Sequence, residues 1–219
     1  MDLNLRRRSG AKLERDTILL GVAAYAVTGA ALVAEYARVW RRGSAPLPSE
    51  ADDVLDAAAE AVGEAVAVAR EGYRGTPRRE NALFNLLASF SASFSIARGI
   101  TYLLRRRRRV GPFRNLRVGR RHIHHFVPGI LLAFGTGTAA ILTDDEQLEP
   151  RLALGFGTGM GLTLDESALL LELDDVYWSR EGVLSVQITL AAMSLFSATV
   201  LALRFFRRGE HVVLDAAPA

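Results

Sequence analysis

Arg120-Arg121-His122-Ile123-His124-His125-Phe126-Val127-Pro128-Gly129 opens an apolar run that continues to Thr143. The chain then turns at Asp144-Asp145-Glu146 and returns through Gly155-Phe156-Gly157-Thr158-Gly159-Met160-Gly161 to Asp165-Glu166. Each arm approaches the roughly 20 residues that cross a bilayer's hydrocarbon core. Two consecutive arms joined by a short acidic turn read as a membrane hairpin. Further uncharged blocks lie near Thr17 to Ala34, Asn81 to Ala97 and Gly182 to Leu203. In a soluble domain, apolar residues would alternate with polar ones at helix or strand period. Here they come in blocks, so the expected fold is an all-α, polytopic transmembrane helical bundle forming a single membrane domain. Its five spans are expected at about 17–39, 81–104, 123–143, 151–173 and 183–206. One amphipathic helix is expected at 49–72, and a disordered tail at 209–219.

Half of the 219 residues are hydrophobic and 23% are charged, as apolar spans separated by charged loops require. Lys12 is the one lysine among 27 basic residues. The absence of cysteine excludes disulfides, thiolate metal sites and cysteine catalysis. The positive N-terminus before Thr17 resembles a signal sequence in outline. Glu35, Arg38, Arg41 and Arg42 stand where a cleavage site would be, so an uncleaved first span is expected.

Gly43 to Pro48 has linker composition. Ser49 could cap the following helix, with Glu50, Asp52 and Asp53 at its positive end. Acidic residues Asp53, Asp56, Glu60, Glu64 and Glu71 form one stripe of it, and Leu55, Val62, Val66 and Ala69 another. That pattern suits a helix lying on the membrane or against the bundle.

Arg105 to Arg121 holds nine arginines and the helix-breaking Gly111-Pro112. No aromatic platform is interleaved, so a positive-inside loop touching anionic lipid headgroups is expected rather than nucleic-acid binding. The basic residues after the last span, Arg204, Arg207 and Arg208, weaken this orientation. In the second span Ser91, Ser95, Arg98 and Tyr102 share a face. Arg98 either snorkels about 10 Å to the interface or meets an intramembrane anion.

Span order gathers the notable polar groups in one leaflet. Arg98 and the histidines flank the same loop, the fourth span ends on that side, and Gln187 enters the fifth span from it. Asp165 and Glu166 lie about 10–12 Å deep, and Asp165 shares a face with Glu172. His122 and His125 are three residues apart, as two imidazoles converging on a helix would be, and His124 could join them. Imidazole beside carboxylate suits a divalent metal, zinc first. The metal candidates are therefore His122, His124, His125 and Asp165. Asp165 and Glu166 are the candidate catalytic carboxylates, and Arg98, Glu172 and Gln187 complete the polar site.

Two other patterns carry less. The glycine string lacks the preceding strand of a nucleotide loop, so Gly155 with Gly159 and Gly157 with Gly161 are expected to be close helix contacts. Phe-Gly-Thr-Gly occurs at 134–137 and at 156–159, but too little else matches for an internal duplication.

The segments His122 to Gly129, Gly159 to Glu166 and Asp175 to Trp178 together resemble uncharacterised bacterial integral membrane proteins, actinobacterial ones in particular, over residues 80 to 190. The resemblance implies a multi-pass helical fold in the plasma membrane and no established chemistry. The leading functional expectation is a metal-binding membrane protein that hydrolyses a lipid or another membrane-associated substrate through metal-bound water. A cation or proton carrier using the same residues is the alternative, and a non-catalytic assembly protein is the third reading. A homo-oligomer is compatible with all three.

Overall fold

The computed structural model describes residues 3–106, 117–118, 121–122, 126–165 and 180–214. These form six helices: α1 (Leu3–Arg42), α2 (Val54–Arg74), α3 (Arg78–Arg106), α4 (Phe126–Leu142), α5 (Glu149–Asp165) and α6 (Arg180–Val213). A two-residue antiparallel ladder, β1 (Arg117–Val118) with β2 (Arg121–His122), precedes α4. Three helices are long and apolar enough to cross a membrane, over Arg15–Arg42, Arg78–Thr101 and Val186–Val213. α4 is apolar but only 17 residues long. By length and composition, therefore, three of the five expected spans qualify among the described residues.

Contacts fix the helix directions. Gly21 faces Ile188, Thr28 bonds Thr199 at 3.1 Å and Arg38 meets Glu210 at 2.5 Å, so α1 and α6 run parallel. α3 runs antiparallel to α6, since Arg98 bonds Gln187 at one end and Glu80 meets Arg204 and Arg208 at the other. α4 and α5 form an antiparallel hairpin, and α5 lies parallel to α3. The bundle therefore has an Arg98 end and a Glu210 end.

α5 is wedged between α3 and α4 by its glycines. A Cβ at Gly159 would sit 2.5 Å from the Ala133 nitrogen of α4, and one at Gly161 would sit 2.6 Å from the Phe90 carbonyl of α3. Gly155 likewise faces Thr136 of α4, and Gly157 faces Leu86 and Ser89 of α3. The two expected small-residue pairs thus serve different partners, as a two-residue offset of about 200° around the helix requires.

α2 departs from its expected limits, and the face it turns to the bundle is a third stripe. It begins at Val54, because Asp53 rather than Ser49 caps it, accepting from the amides of Leu55 and Asp56. Its buried stripe is Ala57, Ala61, Ala65, Val68 and Gly72, while Leu55, Val62 and Val66 are exposed. Small side chains let α2 approach the α6 backbone closely, which the larger residues would prevent. Asp53→Ala is expected to cost about 1 kcal/mol through loss of the cap, read as a lower thermal midpoint in detergent with little change at the Arg98 end.

The segment expected to be a disordered tail also differs at its start. α6 continues to Val213, and Glu210, only 2% exposed, is held by Arg38 and Arg42 of α1. These arginines supply the counter-charge that lets a carboxylate be buried there.

Candidate functional site

α3, α5 and α6 meet where Arg98, Asp165 and Gln187 converge. Seen from α3, Ser91, Ser95 and Arg98 follow helical spacing, which puts the guanidinium at the described end of α5. Arg98 Nε lies 2.6 Å from Asp165 Oδ1. Its Nη2 donates to the Asp165 carbonyl at 3.0 Å and to Gln187 Oε1 at 2.7 Å. Gln187 Nε2 donates in turn to the Leu164 carbonyl at 2.6 Å. The guanidinium also stacks over the Phe94 ring, 5.4 Å from its centroid.

Burial is unequal across the pair. The Asp165 side chain is 2% exposed and that of Arg98 35%. A carboxylate so enclosed needs a cation, and Arg98 is the one the structure provides among the described residues. Of the two sequence readings of Arg98, snorkelling and anion pairing, the structure shows the second. Because the guanidinium is partly exposed, it can also be reached from the Arg98 end.

Hydroxyl groups continue the polar character along the bundle. Tyr25 of α1 bonds Ser95 of α3, and Ser95 donates to the Ser91 carbonyl at 2.6 Å. Asn85 donates to Tyr73 and to the Pro150 carbonyl, each at 2.8 Å, which ties α3 to the start of α5.

The histidine cluster is expected at the opening of α4, whose described residues begin at Phe126, and His122 lies in β2 paired with Arg117. A strand residue does not share the helical face that a three-residue spacing to His125 presupposes. His124, His125, Glu166 and Glu172 lie outside the described residues, as does the side chain of His122. Among the described residues no group of three or more His, Asp or Glu side chains is arranged to hold a metal ion. Asp165, which the sequence reading made a ligand and a catalytic carboxylate, is engaged by Arg98.

Sequence reasoning missed a second charged cluster at the Glu210 end. Glu35 Oε2 meets Arg38 at 2.6 Å, Glu35 Oε1 faces Arg207 at 3.6 Å, and Arg42 holds Glu210 Oε2 at 2.8 Å. Beside it, Glu80 faces Arg208 at 3.1 Å and Arg204 at 3.6 Å, and Thr76 Oγ1 accepts from Arg208 at 2.7 Å. Glu35 and Arg38 were visible as an i, i+3 pair, but their α6 partners lie about 170 positions away with no local signal.

No protein-family model matches the chain, and no curated protein or solved structure matches it. Its chemistry is therefore read from its own residues.

Proposed function

We propose that the chain is a multi-pass plasma-membrane protein with five crossings, α1, α3, α4, α5 and α6, and that it passes a cation or proton through the Arg98–Asp165–Gln187 junction. The observation that carries this reading is the Asp165 carboxylate, buried where three helices meet and paired with the partly exposed Arg98. In a hydrocarbon surrounding an isolated carboxylate costs several kcal/mol, so ionisable groups there mark ion pathways more often than surface groups do. A compensated pair is also a place where a cation can take over the arginine's role.

Several features support the crossings. Leu131, Phe134 and Ile141 of α4, and Val22, Val27 and Val33 of α1, are outward-facing and apolar. The exposed Leu55, Val62 and Val66 suit an α2 lying at the interface. The arginine loop and the basic N-terminus both flank the Arg98 end, which supports a cytoplasmic side for it. The arginines at the opposite end face Glu35 and Glu80, which weakens their objection to this orientation.

The metal reading is less well supported by the geometry. Arg98 already occupies Asp165, and a positive guanidinium beside a carboxylate opposes a dication there. A zinc site would instead have to rest on His122, His124, His125 and Glu166.

Proteoliposomes test the proposal. Wild type is expected to collapse an imposed proton or monovalent-cation gradient faster than empty vesicles, and Asp165→Asn to return the rate to background. A folded Asp165→Asn variant with the wild-type rate, or a wild type no faster than empty vesicles, would end the carrier reading and leave the junction as a helix fastening. Elemental analysis provides the contrast. Stoichiometric zinc that is lost in the His122→Ala/His125→Ala variant, in a protein without flux, would restore the metal site.

A further inference from the structure

At the Glu210 end, α6 passes from apolar to basic within one turn. Val200 and Leu203 are followed by Arg204, Arg207 and Arg208, and these five residues line a groove of about 420 Å³ on the helix surface. The three guanidiniums are accessible, with side chains 61%, 66% and 41% exposed. Val200 is 51% exposed beside them.

Among the described residues the ion pairs at this end are uneven in sign: five arginines (38, 42, 204, 207 and 208) face three carboxylates (Glu35, Glu80 and Glu210). Glu210 is taken up by Arg38 and Arg42 at 2.5 and 2.8 Å. Glu35 and Glu80 are each shared between two arginines, and their contacts to Arg207 and Arg204 are long, at 3.6 Å. The groove therefore keeps an excess of positive charge above an apolar floor.

We infer that this groove binds one anionic phospholipid, its phosphate among Arg204, Arg207 and Arg208 and an acyl chain along Val200 and Leu203. Guanidinium forks match phosphate oxygens in pairs, and interfacial arginines favour anionic headgroups. The apolar half distinguishes a lipid from free phosphate, which would need the arginines alone. The inference rests on α6 crossing the bilayer as proposed above, and it does not depend on what the Arg98 end transports.

Native mass spectrometry of the delipidated protein in neutral detergent tests it, with phosphatidylglycerol and phosphatidylcholine titrated separately. Wild type is expected to prefer phosphatidylglycerol by about tenfold, and Arg204→Gln/Arg207→Gln to abolish that preference. Leu203→Trp, which fills the apolar half and keeps every charge, is expected to weaken phosphatidylglycerol as well. Equal binding of both lipids by wild type, or undiminished preference in the double glutamine variant, would overturn the site. Inorganic phosphate protecting wild type and Leu203→Trp against heat as well as phosphatidylglycerol does would overturn the lipid assignment. Resistance to alkaline carbonate extraction separates the two levels. A protein released by carbonate fails the crossing reading, whereas one retained without lipid preference fails this inference alone.

Discussion

Arg98→Ala is expected to destabilise the protein by about 3 kcal/mol, seen as a large drop in thermal midpoint in detergent. The reason is the asymmetry of the pair. Removing the partly exposed guanidinium takes away a cation 2.6 Å from the Asp165 carboxylate, which is only 2% exposed. It also deprives the Asp165 carbonyl and Gln187 Oε1 of a donor. The converse change, Asp165→Ala, should cost less, because Arg98 is partly exposed to begin with and keeps Gln187 as an acceptor. Arg98→Leu/Asp165→Leu should recover much of the loss, since replacing a buried pair by apolar groups is often neutral. A double variant as unstable as the sum of the singles would show that the two charges do not act as a pair.

Gly72→Ala should be almost as damaging, for a steric reason. A Cβ there would fall on the Phe205 carbonyl and lie 2.5 Å from its carbon, and backbone cannot move aside as a side chain can. Overpacking usually costs about 1–3 kcal/mol, and the upper end is expected here, measured by thermal or denaturant unfolding in detergent. Gly209 meets the α2 backbone in return, 2.7 Å from the Val68 carbonyl carbon and 2.9 Å from the Gly72 nitrogen. Once one alanine has forced α2 from α6 the second has less to displace, so Gly72→Ala/Gly209→Ala should cost less than the sum. Gly63→Ala is the control. Nothing lies within 4 Å of its Cβ position, and removing a mid-helix glycine should stabilise by up to about 1 kcal/mol.

The same contrast explains what the sequence disclosed. Apolar blocks announced the helices because their length is set by local composition. Span order alone put Arg98, Asp165 and Gln187 at one end, and the spacing of α5's glycines foretold two close contacts. Pairings across long separations were not legible. Nothing near Glu35 or Glu80 names Arg207 or Arg208, and nothing near Glu210 marks it as buried. On α2 the large apolar stripe drew attention from the alanines, although close packing selects small residues. The spacing of His122 and His125 suggests a shared helical face, whereas His122 lies in β2.

α6 is the element against which α1, α2 and α3 all pack, and it is synthesised after all of them. During synthesis, Glu35 and Glu80 therefore exist before Arg204, Arg207 and Arg208 have been made, and Gly72 has no surface to meet. Until then Glu80 must be hydrated or held by a helper, Glu35 relies on Arg38 of its own helix, and the α2 glycine face stays open. The last helix then satisfies all three at once, so maturation should end in a single late step and not proceed helix by helix.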